Sequence, residues 1–145
     1  MKKFVLVFFC FSVLILGGCA TNKNTPTIKI NNHIFKVELA QTSAEHFQGL
    51  SDRKSLGKNS GMFFVFPDYK IRTFVMRKMN FPLDIIWIKD NFVVACEKNV
   101  QIFDKNKNIS QVVSSEPINY VLEVNAGVCE KYKIKSNDTV YLPTW

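Results

Sequence analysis

Two carboxylates stand where a charge is costly to keep. Asp84 lies between Leu83 and Ile85, and Glu123 lies between Leu122 and Val124. A carboxylate drawn into such surroundings must find a partner or give up its charge. Arg53 and Arg77, each beside an apolar block, offer planar guanidinium groups able to hold a carboxylate by two parallel hydrogen bonds. Three readings follow for Arg53, Arg77, Asp84 and Glu123. They form a pocket whose cations bind an anionic or polyhydroxylated ligand, or the two carboxylates act as acid and base in a hydrolase. In the third reading they are ion pairs that hold loops and strands in place.

The thiols divide into two groups. Met1-Lys2-Lys3 is a basic start, and residues 4–16 are apolar except for Ser12. That run is well short of the ~20 apolar residues of a stable transmembrane helix, and its layout is that of a signal peptide. It ends in Leu16-Gly17-Gly18-Cys19, which resembles the bacterial lipobox. The resemblance implies cleavage before Cys19 and acylation of its sulfur, because only a thiol forms the thioether to diacylglycerol. Firm anchoring follows if the cysteine carries two or three chains, since one acyl chain alone binds only reversibly. The expected organisation is a signal peptide over residues 1–18, a lipidated cysteine and tether over residues 19–27, and one domain over residues 28–145. Ala20 after the cysteine fits retention on the outer membrane, facing the periplasm, if the cell is Gram-negative. Cys96 and Cys129 remain in the mature domain. An oxidising compartment invites a bridge between them, while the apolar strand around Cys96 equally suits two separate buried thiols.

Other chemistries find little support. His33 and His46 belong to no spaced ligand motif, so no metal site is expected, and no cofactor motif is present. His33 reads as part of a hairpin turn and His46 as part of an exposed helix face. Ser114-Ser115 before Glu116-Pro117 reads as a turn rather than a nucleophile elbow. The net charge of +7 falls to about +5 once Lys2 and Lys3 leave with the signal. The lysines are spread along the chain, which suits a solvated surface or contact with anionic headgroups. Export and the lack of a basic stripe interleaved with aromatics exclude a nucleic-acid partner. Core filling accounts for most of the thirteen phenylalanines and for Trp87, leaving Tyr69, Tyr141 and Trp145 to face a ligand or sugar ring.

The elements that must position these groups are mostly short strands. Phe35, Val37 and Leu39 alternate with Lys36 and Glu38, the period of a half-buried strand, and Asn31-Asn32 joins it to Ile28 and Ile30 as a hairpin. Thr42 or Ser43 caps a short helix that Gly49 stops. Gly61 opens the run Met62 to Phe66, apolar on both faces as a central strand would be and ended by Pro67-Asp68. Further strands are expected over residues 73–76, 83–88, 92–96, 120–124 and 139–142, with a tight hairpin at Asp90-Asn91 and a polar turn over residues 105–108. A helix or turn is expected over residues 127–132. The fold class is mainly β: a compact, mostly antiparallel β-sandwich or open barrel with one or two short helices.

Four ordered blocks resemble a known family. They are Gly61 to Phe66, then Phe74 with Met76, then Pro82-Leu83-Asp84-Ile85-Ile86, then Tyr120 to Gly127. Together they are similar to the bacterial and archaeal family called domain of unknown function 192, over roughly residues 28–142. The resemblance implies a compact all-β domain, often exported, and brings no activity with it. Where the family has Phe-Trp-Met-Lys-Asn-Thr, this chain has Phe74-Val75-Met76-Arg77-Lys78-Met79, and Asn137 stands where the family tends to have glycine before Asp138. The functional expectation is a lipid-anchored envelope domain that binds a partner protein or small polar ligand without catalysis. The alternatives are an envelope hydrolase using Asp84 and Glu123 and a structural subunit of an envelope complex. In each reading the acylated Cys19 makes the membrane itself a partner.

Overall fold

The computed structural model describes residues 25–102 and 110–143. The signal segment, Cys19 and most of the tether lie outside the described residues, as do the polar turn expected over residues 105–108 and Trp145. The elements are β1 (Thr27–Ile30), β2 (His33–Ala40), α1 (Ser43–Gln48), β3 (Ser60–Lys70), β4 (Thr73–Val75), β5 (Leu83–Lys89), β6 (Phe92–Val100), β7 (Gln111–Val113), β8 (Ile118–Asn125), α2 (Val128–Lys131) and β9 (Val140–Tyr141). The fold is mainly β, with two short helices.

Seven strands form one sheet in the order β6-β5-β8-β3-β2-β1-β9, and β4 pairs with β7 in a separate ribbon. All pairs are antiparallel except β2 with β3. A parallel pair cannot be joined by a tight turn. Here α1 and the loop behind it make the crossover. The sheet curls until its edge strands meet at one end: Phe92 bridges Thr139, and the Val140 N–H donates to the Asn91 carbonyl at 2.7 Å. The result is a half-barrel.

The curl separates two apolar clusters. Ile28, Phe35, Phe63, Ile86, Leu122, Val124 and Cys129 pack inside it, drawn from both ends of the sheet. Met62, Phe64, Ile85, Trp87 and Val121 pack on the outer face of the central strands, under the β4–β7 ribbon. β5 and β8 are therefore buried on both sides, which is why residues 83–88 are apolar almost without interruption. Gly61 is required where β3 meets β8, since a Cβ there would sit 2.7 Å from the Glu123 carbonyl oxygen.

Two features differ from the pattern of the sequence. Strand β3 does not end at Pro67 but runs on to Lys70, with its register against β8 shifting between Val65 and Lys70. An irregular stretch tolerates a proline that has no N–H to give a ladder. β7 has only three residues, too few for an alternation to be visible. Among the described residues no helix is long and apolar enough to cross a membrane.

Candidate functional site

The principal cavity, about 540 Å³, lies on the outer face of the sheet. Phe64 and Phe66 of β3 and Glu123 of β8 form its base, α1 and the turn after it form one wall, and residues 71–75 of the ribbon form the other. Local chemistry explains why α1 stands where it does. The Thr42 hydroxyl accepts from the Glu45 N–H at 3.3 Å while the Glu45 carboxylate accepts from the Thr42 N–H at 2.9 Å, a reciprocal cap. At the other end Gly49 turns the chain with φ +48, and a Cβ there would approach Phe64 at 3.5 Å and Glu123 Oε2 at 4.0 Å. A glycine thus brings backbone close over the acid.

Glu123 is only 7 % exposed, and its Oε2 has no hydrogen-bond partner among the described residues. Burial pushes its carboxyl up to about 8, with the charge of Arg53 pulling weakly the other way. Near neutrality the group is a protonated acid facing the cavity. Two guanidinium groups share the cavity with it. Arg77 donates to the Phe47 carbonyl at 2.5 Å and lies 3.7 Å from the centre of the Phe47 ring. Arg72 lies 4.0 Å from the centre of the Phe66 ring and pairs with Asp68. Its Nε, shut off from solvent, is also without a partner among the described residues. The rest of the lining is mostly apolar, and Phe47, Ile71 and Val75 remain exposed at its rim.

The four polar residues singled out by sequence do not converge. Asp84 pairs with Val124, and Ile85 with Glu123, so alternation sends the two carboxylates to opposite faces of the sheet. The acid and base of the hydrolase reading are therefore not brought into one cleft. Asp84, 0 % exposed, accepts backbone N–H groups from Asn99 at 2.8 Å, Gly127 at 3.1 Å and Cys129 at 2.7 Å. It needs no arginine. Arg53 instead forms a two-pronged pair with Glu38 at 2.5 and 2.7 Å, which lowers the Glu38 carboxyl chiefly through those hydrogen bonds. Only Arg77 and Glu123 of the four line the cavity. The structure joins Cys96 and Cys129 in a disulfide, with Cα atoms 6.7 Å apart, which ties α2 to β6 beside Asp84.

His46 does not lie on an open helix face. Its Nε2 is 2.9 Å from the Ala40 carbonyl oxygen, and its ring lies 4.5 Å from Phe66 in the cavity wall. His33 opens β2 after the hairpin turn and stacks on Tyr132 at 3.5 Å. Trp87 is buried, and Tyr69 and Tyr141 are exposed away from the main cavity. Sequence reasoning missed Arg72, His46 and Phe47 as cavity residues. The available signal was the capped helix itself, whose few residues carry both a histidine and a phenylalanine.

A family model described as uncharacterized ACR, domain of unknown function 192, matches residues 26–142. A Novosphingobium aromaticivorans protein of unknown function is similar in structure, with TM-score 0.73 and 33 % identity over 79 % of this chain and 83 % of that one. A Sinorhizobium meliloti protein provisionally called a transcription regulator is similar with TM-score 0.74 and 25 % identity, over 81 % of this chain and 92 % of that one. No curated protein matches.

Proposed function

Since the chain belongs to the family called domain of unknown function 192, we propose that this member is a lipid-anchored domain of the cell envelope that binds a small ligand in its outer cavity without chemical change. One observation carries the reading: a largely apolar cavity of about 540 Å³ holds a buried carboxyl atom that no group of the described chain satisfies. Buried polar atoms are nearly always paired, and one left open in an apolar cleft is a place for a ligand atom. The separation of Asp84 from Glu123 favours binding over paired-carboxylate hydrolysis. Anchoring through Cys19 holds the cavity near a membrane, the outer membrane in a Gram-negative cell, because a tether of this length reaches only a few nanometres. The regulator label of the Sinorhizobium meliloti protein is not transferred, since an exported domain does not meet a chromosome.

The test uses the processed protein in lipid nanodiscs and the neutral probe N-phenylnaphthylamine, with empty nanodiscs as the blank. The wild type should bind one probe per chain. Phe47 is 71 % exposed and α1 buries no residue, so Phe47→Ala should leave the fold intact. It should weaken the probe about tenfold, the equivalent of roughly 1.4 kcal/mol of apolar contact. No saturable binding, or binding indifferent to Phe47, would sink the cavity as a site. Cys19→Ser should leave the protein unanchored, and membrane-bound Cys19→Ser protein would remove the envelope part.

A further inference from the structure

We propose that the ligand of this cavity is an organic anion with an apolar body, its acid group met by the Arg77 and Arg72 guanidiniums and by the Glu123 carboxyl. The inference rests on the binding reading above and adds the chemical class. Three observations point to it. Arg77 forms no ion pair among the described residues, although it lines the cavity. A guanidinium has five N–H donors in a fixed fork, and this one spends a donor on the Phe47 carbonyl, leaving others for a carboxylate. Arg72 Nε is a second donor closed off from water and without a partner among the described residues. The Glu123 carboxyl, kept protonated near neutrality by burial, can give its proton to an anionic oxygen.

Charge excludes the opposite assignment. A cavity lined by phenylalanines with an acid at its base would ordinarily suit an ammonium ligand, held over the ring faces. Here Arg77 already lies 3.7 Å over Phe47 and Arg72 lies 4.0 Å over Phe66. A cation would find those faces taken by like charge, and its only counter-charge among the described lining residues would be an acid that burial keeps neutral.

Calorimetry on the processed protein in nanodiscs, with phenylbutyrate, phenylbutanol and phenylbutylamine, separates the possibilities because the three differ only at the head. Phenylbutyrate should bind tightest, about ten- to hundredfold above the alcohol, as expected of one charge-assisted hydrogen-bonded group. Arg77→Gln should bring the acid down towards the alcohol. Equal binding of acid and alcohol, or tighter binding of the amine, would overturn the anion assignment and leave the cavity standing. Binding of none of the three, together with failure of the neutral probe, would overturn both.

A pH series sharpens the part given to Glu123. If the protonated carboxyl donates to the ligand, phenylbutyrate should weaken about tenfold between pH 7 and pH 9 as Glu123 ionises. In Glu123→Gln the profile should be flat. The other charged or titratable groups that face this acid or share its cavity are His46 on α1, Arg53 in the loop after it, and Arg72 and Arg77 on either side of β4. The same series on His46→Asn shows whether the imidazole contributes. A wild-type profile as flat as that of Glu123→Gln would remove the carboxyl from the site.

Discussion

Two carboxylates on neighbouring strands, both shut away from water, have opposite surroundings. Inside the curl, Asp84 is met by three backbone N–H groups and lies against the Cys96–Cys129 bridge. On the outer face, Glu123 has no partner for Oε2 among the described residues and lines a cavity that Arg72 and Arg77 also line. Burial alone therefore does not mark a functional acid. What distinguishes the two is whether the fold has already supplied their hydrogen-bond partners. Asp84 is fully partnered and organises the turn before α2 and the end of β6. Glu123 is left without such partners for Oε2 among the described residues, at the base of the outer cavity.

The contrast can be broken most sharply at Asp84. Asp84→Ala takes the acceptor from three N–H donors, that of the buried Cys129 among them, and urea unfolding should show a loss of about 3 kcal/mol. A loss below about 1 kcal/mol would mean that water replaces the carboxylate and that the inner face is not sealed. Cys96→Ala with Cys129→Ala removes the tie on the same face. With a sequence separation of 33 between the two positions, chain entropy predicts a loss of about 3–4 kcal/mol. Wild-type protein unfolded with and without a reducing agent should show the same gap, and coincident curves would remove the bridge from the account.

On the outer face the sign should reverse. The folded Glu123 holds its proton up to about pH 8, whereas its ordinary value is 4.5. Below pH 4.5 both states are protonated and the residue has no effect on stability. As pH rises from there, the unfolded chain releases the proton that the folded one retains, so stability falls until pH passes about 8 and then levels off. Near pH 7 the penalty is roughly 3 kcal/mol. Glu123→Gln should therefore be more stable than the wild type at pH 7 by roughly that amount and indistinguishable from it at pH 4. Equal stability at both pH values would mean that the carboxyl is solvated rather than held neutral.

Much of this was legible in the residues. The alternation at Phe35, Val37 and Leu39, the helix capped at Thr42, and the hairpins at Asn31-Asn32 and Asp90-Asn91 all appear where local chemistry places them. Apolar neighbours were enough to say that Asp84 and Glu123 are buried. Their partners were not legible. The donors to Asp84 are main-chain N–H groups, which every residue but proline carries, so no side chain announces them. Arg53 reaches Glu38, an acid that its own strand pattern marks only as solvent-facing. The departures from the family pattern were also opaque until the backbone was seen. Lys78 and Asn137, at positions where the family favours asparagine and glycine, have φ of +53 and +68, a region those residues enter readily and lysine does not.

By itself the sequence determined the class of fold, the order of the strands along the chain and the burial of two acids. Those follow from local pattern, because period, apolar run and turn chemistry are written within a few residues of one another. Only the tertiary structure decided that the acids part company. That choice lies in the register of β5 against β8, where Asp84 meets Val124 and Glu123 meets Ile85. A slip of one residue would have set both carboxylates on the same face, since side chains alternate with a period of two. Register is the sum of packing on both sides of the sheet, and no segment of the chain carries it alone.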